Sequence, residues 1–274
     1  MKTKNKVSSL TVQYVEEPRS FIGGASNYYY GNSYFYKQEN SKKFLEFIQN
    51  KNDSEAVNYL KENLEKININ EGYWDNTKNA YTKIPIYEII ENGCIETFKY
   101  IILNIGTYQY QNNPNGLQTY KKNSENDTFI TYIIKNYLKS STEEDKKLYL
   151  EFIDCIFNNA FDFDYQITQK GSDDNTPLHL LCQFPKDVDI MKYVNVIMGM
   201  KWFDLSDINN KKQSVVDIVI ENNNIELLKT FLAFKNEITS NELNNANEEI
   251  KELIHSMNTK IVTHRTNRYG TIVY

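Results

Sequence analysis

The chain reads as an all-α protein, an α-solenoid of about five stacked helix pairs closed by a C-terminal capping helix. Three observations predict this. The stretch Asp174-Asn175-Thr176-Pro177-Leu178-His179-Leu180-Leu181-Cys182 opens an apolar helix on a Thr-Pro turn. The Thr176 hydroxyl is placed to cap free first-turn amides, and Pro177 falls where a missing N–H costs nothing. Two long blocks, 84–102 and 214–232, align position by position without a gap and share Ile-Glu-Asn-Gly/Asn at a helix–helix joint. Glycine or asparagine suits that joint because either tolerates a left-handed backbone. Finally, short apolar faces with helical spacing recur along the chain, several opened by a capping residue.

The order Thr176-Pro177-Leu178-His179 closely resembles the opening of the ankyrin repeat, a β-turn followed by two antiparallel helices. The resemblance is clearest at 84–105, 174–198 and 214–234. Pro85 stands in the opening of the first of these. In the last, Ser214 replaces threonine and Asp217 replaces histidine. The resemblance implies that His179 is structural, its ring tying the turn to neighbouring backbone. It also implies an elongated concave surface whose turn tips and inner helices contact protein partners. The aligned positions Pro85, Phe129, Pro177 and Val215 lie 44, 48 and 38 residues apart, against about 33 for an ankyrin repeat and about 40–47 for the HEAT type. The excess is assigned to insertions in polar links. The Thr-Pro-Leu-His opening and short extended exits favour ankyrin.

In chain order, residues 1–40 form a tyrosine-rich extension, 41–257 the repeat domain and 258–274 a tail. Within the extension, Tyr28-Tyr29-Tyr30 and Tyr34-Phe35-Tyr36 flank Gly31-Asn32. That pattern suits a β-hairpin; a flexible arm, or an arm docked on the first repeat, suits it as well. A first repeat spans 41–70, with Phe44, Leu45, Phe47 and Ile48 on one helical face and Ser54 expected to cap the second helix. It ends on the extended exit Asn68-Ile69-Asn70. A link with Tyr73 and Trp74 leads to the repeat at 84–105. A polar link with Tyr108 and Tyr110 follows. The third repeat opens at Thr128-Phe129, and Ser141-Thr142-Glu143-Glu144 has capping-box spacing for its second helix. Asp162-Phe163-Asp164 and Asp204-Leu205-Ser206 repeat the exit pattern. Thr239-Ser240-Asn241-Glu242 is a further capping box, opening one last helix with Leu243, Ile250, Leu253, Ile254 and Met257 inward and a polar outer face.

Composition narrows the function. The 274 residues are 40% hydrophobic with a formal net charge of −5, which speaks against a general nucleic-acid footprint. The abundant lysine, asparagine, isoleucine and tyrosine fit an AT-rich genome. No secretory signal or membrane-length apolar run is read. Cys94, Cys155 and Cys182 sit in apolar helical patterns and read as buried thiols of a reducing compartment. The expected location is cytoplasmic, or a host cytosol reached without a cleaved signal peptide.

No chemistry emerges. His179, His255 and His264 offer no zinc-helix spacing and no Cys-x-x-Cys exists, so neither metal nor cofactor is expected. A Gly-x-Ser-x-Gly elbow and a phosphate loop are absent. Acid pairs such as Asp173-Asp174 fall at helix starts, where the dipole favours carboxylates. The expectation is a non-enzymatic scaffold, adaptor, inhibitor or host-directed effector. The alternative is an enzyme whose site is built from the extension and insertions. Tyr73, Trp74, Tyr108 and Tyr110 are the candidate partner-binding residues, being aromatics with polar tips in links expected on one edge. The same residues would otherwise pack between repeats. The negative charge favours a partner with a basic patch.

Overall fold

The computed structural model describes residues 27–72, 74–75, 80–105, 116–119, 121–159, 167–186, 188–200 and 203–264. Twelve α-helices occur among them. They are α1 (Asn27–Gln49), α2 (Asp53–Asn63), α3 (Pro85–Glu91), α4 (Ile95–Tyr100, continued by a π turn over Ile101–Ile105), α5 (Phe129–Lys139) and α6 (Glu143–Phe157), then α7 (Pro177–Leu181), α8 (Met191–Met198), α9 (Val215–Glu221), α10 (Ile225–Phe234), α11 (Ser240–Asn245) and α12 (Glu248–Ser256). Among the described residues strand is confined to two short ribbons: β1 (Trp74–Asp75) antiparallel to β2 (Ala80–Tyr81), and β3 (Glu237–Thr239) parallel to β4 (Lys260–Val262). The protein is mostly helical.

In every pair but α7–α8 the two helices are joined by a short turn. Left-handed residues make three of the joints: Lys51 (φ 56°), Gly93 (φ 72°) and Asn223 (φ 49°). First helices pack on the next first helix, α1 on α3, α3 on α5, α5 on α7, α7 on α9 and α9 on α11; among the second helices, α2 packs on α4 and α4 on α6. One hydrophobic core runs through all of it, from Phe44 and Leu60 through Phe98, Phe129 and Phe152 to Phe231 and Ile254. Phe98 bridges pairs, meeting Phe129 edge-on at 6.3 Å and Phe152 at 4.8 Å.

The second helices are also tied from pair to pair by polar contacts. Lys61 lies over the Tyr100 ring, Lys99 pairs with Glu151, and Lys192 with Asp154. A stronger tie starts at Asp53. Its carboxylate accepts from the Glu96 and Thr97 amides (2.8 and 2.9 Å) and from the Thr97 hydroxyl (2.5 Å). Cys94, the residue before α4, makes no side-chain cap. The first pair therefore supplies the cap of the second pair's outer helix.

Four local expectations are corrected. Residues 28–36 are helical, so Gly31-Asn32 forms no hairpin turn, and α1 crosses the boundary expected at 40; aromatic strand preference is context-dependent and yields to a helix continuous with the Phe44–Ile48 face. Ser54 lies inside α2, and the flanking residue, Asn52, makes no side-chain cap. At α6 the cap is Thr142, one residue beyond Ser141: its hydroxyl accepts from the Asp145 amide at 3.1 Å. The expected single last helix is two, α11 and α12, because Ala246 is extended and the Asn247 side chain starts a new helix by accepting from the Ile250 amide. The Thr239–Glu242 capping box is present in full.

The exits share one geometry where described. Asn68 Oδ1 accepts from the Asn70 amide at 3.0 Å, and Asp204 Oδ1 from the Ser206 amide at 2.9 Å, burying Ile69 and Leu205 between them. The third exit, at 162–164, lies outside the described residues.

Candidate partner-binding groove

The groove is built by repetition. Before α5, α7 and α9 the chain makes the same tip. In two of them an asparagine, Asn123 or Asn209, accepts through Oδ1 from the amides two and four residues ahead. The residue three places on is left-handed in all three: Asn126, Asp174 and Lys212. The next residue but one is the helix cap, Thr128, Thr176 or Ser214. Gly171 takes the asparagine's place in the middle tip. A Cβ there would stand 2.3 Å from Thr131 Oγ1 and 2.8 Å from Asp127 Oδ1. Asp127 itself does part of the missing work, accepting from the Ser172 amide at 2.9 Å.

Three residues past each cap, a side chain fixes the tip. Pro177 occupies the first position of α7, and Pro85 that of α3. Thr176 Oγ1 accepts from the His179 amide, and His179 Nδ1 accepts from the Thr176 amide at 3.3 Å. The other ring nitrogen donates to the Gln213 carbonyl at 3.2 Å, on the next tip. His179 and Leu178 are buried. Burial pushes the imidazole pKa down to about 4, partly opposed by the Gln213 bond. Such a ring is neutral and fully engaged. Tyr87 holds the same position in α3, and its single hydroxyl proton is shared between the Asp127 and Lys121 carbonyls, 2.7 and 2.8 Å away, again on the following tip. Glu242 holds it in α11 and accepts from the Ser214 hydroxyl at 2.9 Å.

A second recurring link joins each tip to its own helix, between the residue before the cap and the residue seven past it. Lys83 pairs with Glu91, and buried Asp127 with Lys135. Gln213 Nε2 donates to both Glu221 oxygens at 2.8 Å. In the last pair the two positions are Ile238 and Ala246, both buried. The fourth pair is the exception. Asn175 and Gln183 stand there, but Asn175 Oδ1 accepts from Asn209 and Gln183 donates to the His179 carbonyl. No bond joins them.

A cavity of about 450 Å³ opens at that place. Its walls are α5, α7 and α9 and the two tips between them. Leu138, Leu180 and Ile218 give it an apolar floor, and Asn175, Gln183, Asn209, Gln213 and Asn222 bring carboxamides. Lys135, Lys139, Lys211, Asp173 and Glu221 bring charge. Among the described residues no group of three His, Cys, Asp or Glu could hold a metal ion, and no helix is long and apolar enough to cross a membrane. Cys94, Cys155 and Cys182 are buried free thiols; burial raises the first to about 12 and the second to about 11.

Of the aromatics expected to bind a partner, Tyr73, Tyr108 and Tyr110 lie outside the described residues. Trp74 pairs through its backbone with Tyr81 in the short ribbon between the first and second pairs. Phe203 is buried against Phe234, ring centroids 5.1 Å apart. A partner surface at tips and inner helices is the expectation drawn from the resemblance, but none of the residues lining this cavity is among the expected partner-binding residues. Its signal was present: once the caps are aligned, Lys83/Glu91, Asp127/Lys135 and Gln213/Glu221 recur at a spacing of eight, and Asn175/Gln183 breaks the series.

Neither the models of known protein families nor the curated proteins contain a match to this chain.

Proposed function

We propose that the chain is an ankyrin-type solenoid that works without catalysis, binding a protein partner as a scaffold, adaptor or inhibitor through the groove between its first helices and tips. The cavity at the fourth pair carries this reading. It combines an apolar floor, a rim of carboxamides and charges, and walls contributed by three successive pairs, the mixture found in protein interfaces. The recurring tips, the left-handed joints and the neighbour-to-neighbour packing support the solenoid. The histidine and the thiols are poorly placed for catalysis: His179 is neutral and doubly bonded, and the thiols are buried. Buried free thiols also fit a reducing compartment. Filling the groove tests the reading. Gln183→Trp places a large ring at an exposed position on the cavity wall. Affinity capture with the wild-type chain should retain a discrete protein that the folded Gln183→Trp chain loses. Equal retention by both would place the binding surface elsewhere, and turnover of a screened substrate would contradict the non-enzymatic reading.

A further inference from the structure

We infer that the cavity at the unlinked fourth pair receives a carboxylate side chain, Asp or Glu, of the protein partner; this rests on the protein-binding reading above.

The hydrogen-bond commitments of the lining groups point to an acceptor. Asn175, a lining residue, uses its side-chain oxygen to take the Asn209 donor at 3.1 Å, and its side-chain N–H groups have no hydrogen-bond partner among the described residues. Lys139 and Lys211 line the same space, both exposed, and form no ion pair there among the described residues. Other charges are already used. Lys135 is held by Asp127, Glu125 and Ser172, and both Glu221 oxygens accept from Gln213. Asp173 is the remaining lining carboxylate, exposed on a tip. The uncommitted charges are thus two ammonium groups against one rim carboxylate, joined by the Asn175 amide donors and, as neutral acceptors, the side-chain oxygens of Gln183 and Asn222. An incoming carboxylate meets the donors it needs, and bonds to charged groups are the stronger kind.

The rest of the fold indicates how it would sit. In the second, third and fifth pairs a polar pair spans the space from tip to helix. In the fourth pair that span is open, and the guest carboxylate takes the place of the missing pair, accepting from Asn175, from Lys139 at the end of α5 and from Lys211 on the following tip. The chain's net charge of −5 favours basic partners at long range, but screening limits that to about a Debye length of roughly 8–10 Å. Inside the cavity the local donors decide.

Selection from a displayed library of random ten-residue peptides on the full chain tests this. The recovered peptides should share an Asp or Glu. A synthetic copy should bind about tenfold or more weakly to the Lys139→Glu/Lys211→Glu chain, since reversing close charges turns attraction into repulsion. It should bind equally well to Lys147→Glu on the outer face of α6. Asn175→Asp with Gln183→Lys, which rebuilds the Asp127–Lys135 arrangement and keeps the acceptor for Asn209, should close the cavity and abolish binding. Circular dichroism establishes that each variant is folded. Peptides without a shared acid, or an affinity unmoved by the charge reversal, would overturn the carboxylate assignment. If such peptides still protect α7 and α9 from hydrogen exchange, the groove stands and only the assignment falls. If no peptide protects these helices, both fall.

Discussion

Protonating His179 should loosen the joint between the fourth and fifth pairs, and the size of the effect follows from its surroundings. The ring is fully buried, with Nδ1 accepting from Thr176 and Nε2 donating to Gln213. Burial, chiefly, holds its pKa at about 4 rather than the ordinary 6.5, with the Lys170 charge adding to the depression and bonds to the Gln213 and Asp207 backbone opposing it. Above pH 6.5 the ring is neutral in both folded and unfolded chains, and the stability is fully present. Below it, only the unfolded chain takes up the proton, so stability falls with pH until the folded ring titrates near 4. Between pH 7 and 4.5 the linked loss is roughly 2–3 kcal/mol. Carboxylates titrate over part of that range too, so the comparison is with His179→Gln, which is less stable at pH 7 but lacks this term. Urea unfolding followed by far-ultraviolet circular dichroism, at both pH values and on both chains, gives the difference. A wild-type loss no larger than the variant's, or an imidazole NMR titration centred near 6.5, would refute the reasoning. The same variant should leave partner affinity intact at pH 7 where it is folded.

Other expectations follow from single contacts. Asp53→Ala should cost about 1–2 kcal/mol, the range for losing a helix cap, and should raise hydrogen exchange at the Glu96 and Thr97 amides specifically. Gly93→Ala should cost roughly 1–2 kcal/mol, because Gly93 is left-handed and a Cβ would stand 3.0 Å from Leu148 Cδ2; Asn223→Gly at the equivalent joint should be nearly neutral, as read by urea midpoints. Lys135→Met should cost about 3 kcal/mol, the low end for unpairing a buried ion: Asp127 keeps the Ser172 amide and the Thr131 hydroxyl but loses its cation. Substituting Asp127 with Asn in that background should restore part of the loss.

Much of the helical plan was legible because it is written in local chemistry. Thr176-Pro177, Ser214 and Thr128 are caps that act within three residues, and Ile84–Ile102 matches Ser214–Leu232 because both must bury the same face and turn at a left-handed residue. What misled was also local. Gly31-Asn32 is a turn pair in isolation, and the helix around it overrides that preference. Ser54 and Ser141 have capping chemistry, but α2 begins at Asp53 with no side-chain cap, and at α6 the cap is Thr142. The break at Ala246–Asn247 was hidden because Leu243 and Ile250 keep a continuous apolar spacing across it. The groove was harder to see. Its members are polar residues without a motif, and they become meaningful only when the tips of successive pairs are superimposed. Tyr73, Tyr108 and Tyr110 remain candidates on sequence grounds, outside the described residues.

Photo-crosslinking tests most directly whether the groove is where a protein binds. A benzophenone amino acid is placed at Gln183, on the cavity wall, and in a second chain at Lys147, on the outer face of α6. Each is irradiated in extract from cells carrying the gene, with and without an excess of a groove-selected peptide. The account predicts one discrete protein adduct from position 183, suppressed by the peptide, and no such adduct from position 147. Adducts from position 147 alone, or an adduct at 183 indifferent to the peptide, would contradict it.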